Sequence, residues 1–307
     1  MSATDSAFDS DRPDPTDAAA CERYYSTQYN ARADIPDHPQ IFERWAQQSA
    51  QVRATHPARL DLAYGDAAAE RLDFFPAPQD GAPLLVFIHG GWWRSLDKSD
   101  FSFIAPAFTA AGVSVALTNY TLAPAATLEE ITLQQVSALA WLYRNAARYG
   151  ADPGRIVVAG HSAGAHLAAM MQAADWPAFE ADLPPDLVKG GVMFSGLYDL
   201  DPVRHAAFVQ DDLRLTPERV GPLSPARMPQ AHPAPFLTAV GGLESAEFKR
   251  QNALLASTWH ATHVKDIPLP QANHLTICDS LGAAGRPLFD ATLALVTSLP
   301  RAKDVET

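Results

Sequence analysis

Two cysteines in 307 residues, Cys21 and Cys278, stand at opposite ends of the chain. They are too few and too far apart for a disulfide framework or a thiolate metal site, and both are read as free thiols. Basic side chains are also scarce: 23 Lys and Arg face 35 Asp and Glu, a formal net charge of −12. That balance argues against a nucleic-acid partner, because binding a polyanion takes a basic face that displaces counterions from phosphates. No uncharged apolar run is long enough to cross a bilayer, and the N-terminus lacks the positive start and apolar middle of a secretory signal. The expectation is a soluble, cytoplasmic protein with no membrane partner. Glycine-rich phosphate and dinucleotide fingerprints are missing, and no clustered His, Cys and carboxylate spacing reads as a metal site. No cofactor and no metal are expected.

What the chain does have is apolar content, 47% of its residues, enough for a large core at a length that favours one big domain over two small ones. Residues 1–20 are aspartate-rich with no Leu, Ile or Val and read as a disordered acidic tail. Residues 21–300 read as a single domain and 301–307 as a C-terminal tail. The stretch Glu22 to His56 reads as an N-terminal cap with a helix near Pro39 to Val52, where Ile41, Phe42, Trp45 and Ala46 share a face. Leu60 to Tyr64 and Arg71 to Phe75 read as a pair of edge strands around the Gly65-Asp66 turn. Short apolar strands then alternate with helices: Leu84 to Ile88, Val113 to Leu117, Arg155 to Ala159, Gly191 to Phe194, Phe236 to Val240 and His263 to Ile267. That alternation means an α/β fold, a mostly parallel central sheet with helices on both faces. Thr127-Leu128-Glu129-Glu130 caps one of the helices and Gly150 ends it. The proline-rich 201–235 segment has no sustained periodicity and reads as an irregular insertion over the carboxyl edge of the sheet.

Gly160-His161-Ser162-Ala163-Gly164 follows an apolar strand and precedes the small-residue stretch Ala165 to Met171. A serine on such a strand-turn-helix corner projects its hydroxyl clear of the sheet, and its crowded backbone takes only small neighbours, so Ser162 is the candidate nucleophile. Serine needs a histidine to accept its proton and a carboxylate to hold the imidazole. Of the five histidines beyond the stretch Ala165 to Met171, His274 is best placed, in the loop after the last strand; His205, His232, His260 and His263 are less so. Glu244 follows another strand through Gly241-Gly242 and is the candidate acid, with Asp199, Glu247 and Asp266 as rivals. His89-Gly90-Gly91-Trp92-Trp93 ends the first parallel strand. Its paired glycines let bare N–H groups approach a developing oxyanion, so Gly90, Gly91 or Trp92 is expected to donate from one side and Ala163 from the other. His89, His161 and His166 read as structural. Trp92, Trp93, Tyr120 and Tyr198 are candidates for an aromatic substrate slot, with core packing the alternative.

These segments, with Glu244 to Gln251, Asn119 to Pro124 and Ser195 to Leu200, resemble the kynurenine formamidase (arylformamidase) and esterase branch of the α/β hydrolases over roughly Tyr24 to Leu299. The resemblance implies Ser162, Glu244 and His274 by position, with Glu244 departing from the aspartate often found there. It also implies hydrolysis of an N-formylkynurenine-like aryl formamide, in tryptophan catabolism, without a cofactor. The alternatives are a carboxylesterase or arylamidase acting on small esters, amides or carbamates and, more distantly, a catalytically silent hydrolase fold that only binds. A small aromatic amide or ester is the expected partner, and a homodimer stays open.

Overall fold

A computed structural model describes residues 11–300. Residues 1–10 of the expected acidic tail and the tail 301–307 lie outside the described residues. Eight strands form one sheet: β1 Arg59–Ala63, β2 Arg71–Phe75, β3 Ala82–Ile88, β4 Ser114–Thr118, β5 Ala151–His161, β6 Val188–Phe194, β7 Phe236–Gly241 and β8 His263–Leu269. Their order is β1-β2-β4-β3-β5-β6-β7-β8. β2 runs antiparallel to β1 and β4, and every other pair is parallel.

Every residue of β3 and β4 is buried. Alternate side chains go to opposite faces, as a two-residue period requires: Leu84, Val86, Ile88, Ile156 and Val158 pack into one core layer. Leu85, Phe87, Val157 and Ala159 pack into the other. Truncating one such leucine to alanine would cost about 2–5 kcal/mol. Helices cover both layers, in chain order α1 Ala18–Tyr29, α2 His38–Thr55, α3 Ala105–Ala110, α4 Leu128–Asn145, α5 Ala163–Ala173, α6 Trp176–Phe179, α7 Ala207–Leu213, α8 Pro217–Val220, α9 Ala246–Thr258, α10 Ile277–Leu281 and α11 Pro287–Ser298. The Thr127 hydroxyl and Glu130 carboxylate close a capping box on α4, worth about 1 kcal/mol. A 3₁₀ turn then carries the chain to Gly150, whose φ of 85° ends it.

Three boundaries differ from the sequence expectation. The tail expected through residue 20 gives way earlier, because Asp17 caps α1 and Cys21, Tyr25 and Tyr29, one helical turn apart, are all buried. Arg12 donates to the Tyr25 hydroxyl at 2.8 Å and pairs with Glu247 at 3.3 Å. β2 is an internal strand, not an edge. Its Asp73 has the look of an exposed residue in the sequence, yet it is fully buried and neutralised by Lys98 at 2.9 Å and by Arg53. The 201–235 segment lacks a repeating pattern because it is made of short pieces: α7, α8 and two single 3₁₀ turns, Val203–His205 and Pro225–Arg227. Each is too short to show a period. Both cysteines are buried and free. Among the described residues no helix is long and apolar enough to cross a membrane.

Candidate active site

The parallel strands deliver their ends to one edge, and the site is built there. Ser162 follows β5 directly and opens α5 with φ 56° and ψ −121°, a conformation that costs a non-glycine residue of the order of 1–3 kcal/mol. Its N–H donates to the Phe194 carbonyl at 3.0 Å, which pins the corner to β6. A Cβ at Gly164 would overlap the carbonyl oxygen of Ile88, so the helix can pack against β3 only with glycine there. Ser162 therefore owes its place on this corner to the two glycine neighbours and to the strain they permit.

β7 and β8 are neighbours, and the loops that leave them lock together. Gly242 N–H donates to the Leu269 carbonyl at 2.9 Å and Leu243 N–H to the Ala272 carbonyl at 3.0 Å. Asn273 Oδ1 accepts from the N–H groups of Leu275 and Thr276 at 3.0 and 2.9 Å, an Asx turn that shapes the backbone around His274. The result is a continuous chain of contacts: His274 Nε2 lies 3.0 Å from Ser162 Oγ, and His274 Nδ1 lies 2.6 Å from Glu244 Oε2. All three residues are buried, each under 8% exposed (3%, 7% and 7% for Ser162, Glu244 and His274). His161 Nε2–H donates to the His274 carbonyl at 2.7 Å; burial and the neighbouring His274 ring hold the His161 pKa well below the ordinary histidine value. That keeps His161 a neutral brace.

The rival acids are engaged elsewhere. Asp199 pairs with Arg227 at 2.8 Å, Glu247 accepts from the Tyr29 hydroxyl and pairs with Arg250, and Asp266 accepts from Thr238 and Asn252. Of the other histidines, His205 stacks on Tyr25 and His263 lies against Thr238. One participant was missed from sequence: Ser195, at the end of β6, whose hydroxyl donates to Glu244 Oε1 at 2.5 Å, while Gly241 N–H donates to the same oxygen at 2.7 Å. The strand-end position of Ser195 between the Ser162 and Glu244 strands was the available signal.

The loop after β3 carries three successive residues with positive φ: Gly91 108°, Trp92 56° and Trp93 54°. Its carbonyls are tied back. Tyr120 Oη–H donates to the His89 carbonyl at 3.0 Å, and His89 Nδ1 lies 2.8 Å from the Gly90 carbonyl. The Gly91 carbonyl accepts from Arg94 N–H, Ser95 N–H and Ser95 Oγ. In a trans peptide C=O and N–H point opposite ways, so tethering these oxygens turns the N–H groups of Gly90, Gly91 and Trp92 to the other side of the loop. Ala163 is the first residue of α5, so its N–H has no intrahelical acceptor and sits at the positive end of the helix.

A cavity of about 30 Å³ opens at Ser162 and His274, walled by Gly91, Trp92, Leu96, Arg32, Phe42 and Trp45. A second, of about 120 Å³, adjoins it on the far side of His274 and Glu244, with Gln28, Asp34, Ile35 and Phe248 in its walls. Trp92 alone of the four expected slot residues lines either space. Trp93, Tyr120 and Tyr198 are fully buried and form core: Tyr120 stacks on His89 with ring centres 4.4 Å apart, and Trp93 meets His166 edge-on at 5.0 Å. Their positions near strand ends reflect the packing that holds the loop from behind. The wall residues from 28 to 45 come from the N-terminal cap, whose apolar face, Ile41, Phe42 and Trp45, was visible in the sequence without its destination. Among the described residues no group of three or more His, Cys, Asp and Glu side chains is arranged to hold a metal.

The family model described as BD-FAE matches residues 72–190. Kynurenine formamidases of Danio rerio and Salmo salar are 29% and 28% identical to the chain, over 66% and 75% of it and 69% and 79% of their own lengths. A crystal structure assigned as a thioesterase from Silicibacter sp. TM1040 superposes with a TM-score of 0.77 at 29% identity, covering 88% of this chain and 98% of that one. The chain is an α/β hydrolase. Within that superfamily it is similar to kynurenine formamidases and esterases. The fold expected from the alternating strands, and the enzyme class expected from the motifs, both hold.

Proposed function

We propose that this hydrolase cleaves aryl formamides of the N-formylkynurenine kind by Ser-His-Glu acyl-enzyme chemistry. The observation that carries the reading is the Ser162–His274–Glu244 chain of contacts opening on a cleft with aromatic walls, Phe42, Trp45 and Trp92, which suits an aryl carrier beside a small acyl group. Ser162 Oγ attacks the formyl carbon while His274 Nε2 takes its proton, and Glu244 at Nδ1 holds the imidazolium that forms. The carbonyl oxygen becomes an oxyanion facing the N–H groups of Ala163 and of the Gly90 to Trp92 loop; one such donor is worth about 3–4 kcal/mol. Collapse breaks the C–N bond as His274 passes its proton to the departing aniline nitrogen. Water, deprotonated by His274, then attacks the formyl ester, and formate and free Ser162 result. An aromatic leaving group lies toward Phe42, Trp45 and Trp92.

The test is kcat/KM for N-formylkynurenine against p-nitrophenyl esters of rising acyl length. The formamidase reading expects the formamide to win and ester turnover to fall steeply beyond acetyl. A strong preference for esters makes the enzyme a small-acyl carboxylesterase with the same machinery. No turnover of either leaves a hydrolase fold that only binds.

A further inference from the structure

Nothing in the motifs reads the end of the substrate away from the scissile bond, and the structure holds a group suited to it. Arg32, in the turn after α1, lines the same cavity as Ser162. Its guanidinium lies 5.1 Å from the centre of the Phe42 ring, and its Nη2 donates to Ser95 Oγ at 3.2 Å. The guanidinium is thus held in place by an aromatic face and a hydroxyl, contacts that leave its remaining N–H groups free of any carboxylate among the described residues. Arg32 is exposed at the cleft, where desolvation by the wall and the neighbouring Arg94 lower its pKa with no acidic group to offset them; Arg94 itself is paired with Asp212. With a net charge of −12, carboxylates outnumber cations, and Arg44, Arg53, Arg144, Arg204, Arg219 and Arg227 each pair with one. An arginine held without one at the mouth of a reactive cleft is a local positive site that attracts an anion, and its planar fork matches a carboxylate.

We propose that Arg32 is the anion-recognition residue of this cleft, binding a carboxylate carried by the leaving-group side of the substrate, so that the enzyme prefers acidic aryl substrates to neutral ones of the same shape. The proposal rests on the reading of Ser162 as nucleophile and deepens it. Ser95, which receives the Arg32 hydrogen bond, donates in turn to the Gly91 carbonyl at 2.9 Å, so the anion site stands one hydroxyl away from the loop that faces the oxyanion.

The experiment uses two matched pairs on wild type, Arg32→Gln and Arg32→Lys: N-formylkynurenine with 2-formamidoacetophenone, and 3-acetoxybenzoate with phenyl acetate. For each enzyme the readout is the ratio of kcat/KM for the carboxylate-bearing member to that for the member without a carboxylate. Arg32→Gln should lower this ratio about 10- to 100-fold, the range for losing a hydrogen-bonded charge partner, through KM rather than kcat, and Arg32→Lys should restore part of it. An unchanged ratio overturns the proposal. So does an equal loss on both members through kcat, which would make Arg32 a support of the loop. A wild type that turns over only the esters sinks the formamidase reading, and the ester pair then decides the role of Arg32 by the same ratio.

Discussion

Replacing Ser195 by alanine tests a part of the site to which the motifs assigned no role. Glu244 has two oxygens with separate duties: Oε2 faces His274 at 2.6 Å, and Oε1 accepts from Ser195 at 2.5 Å and from Gly241 N–H at 2.7 Å. Ser195→Ala leaves Oε1 with one donor, in a place too buried for water to take over freely. A hydrogen bond to a charged group contributes about 1.5–3 kcal/mol. If most of that appears in the transition state, where Glu244 must face an imidazolium in fixed geometry, kcat falls about 10- to 100-fold. Ser195 lies behind the acid and outside both cavities, so KM should stay within about twofold. Steady-state kinetics on N-formylkynurenine or phenyl acetate, with circular dichroism to show a native fold, gives the answer. A kcat within threefold of wild type, or an equal loss carried by KM, would refute the reasoning that Glu244 acts only when its far oxygen is anchored.

Two further outcomes follow from the packing. Gly164→Ala places a methyl group on the Ile88 carbonyl, so α5 must move off β3; the variant should lose soluble yield or several °C of melting temperature, and a native Tm with full activity would show that the corner is not tight. His166 is fully buried with its pKa pushed down to about 4, chiefly by burial, against which the Leu223 carbonyl works. Because the folded value lies below the unfolded one of about 6.5, the unfolded chain binds the proton first. The stability this group contributes is therefore complete above pH 6.5 and is lost as pH falls towards 4, about 3 kcal/mol in all. Urea unfolding at pH 7 and pH 4.5 should show a smaller loss in His166→Gln than in wild type, by about 2–3 kcal/mol; equal losses would contradict the assignment.

The strands, and the three side chains Ser162, Glu244 and His274 that the structure brings together, were legible because each obeys a local rule. Apolar runs bounded by helices mark buried parallel strands, and candidate nucleophile, acid and base at the carboxyl ends of parallel strands must share one edge. What stayed hidden depends on neighbours brought from far along the chain. Asp73 looks like an edge residue until Lys98 and Arg53 arrive to neutralise it. Tyr120 and Trp93 look like slot residues, since sequence gives their distance from a strand end and not the direction they point; Tyr120 in fact grips the His89 carbonyl from within the core. Ser195 belongs to a segment that carries the resemblance but no role of its own, and Arg32 carries no motif at all. Their significance is geometric, one through an oxygen of Glu244 and the other through a cavity whose opposite wall is set by Phe42 and Trp45.

The claim on which the account turns is that His274 and Glu244 make one serine hydroxyl, and no other, reactive. The direct measurement is intact-protein and peptide mass spectrometry after treatment with a fluorophosphonate, alongside turnover by Ser162→Ala. The account predicts one adduct per chain, located on Ser162, absent from the variant and formed far more slowly in His274→Ala, with kcat in Ser162→Ala down by about 10⁴-fold or more. Labelling at another residue, or a Ser162→Ala enzyme that keeps its activity, would contradict it.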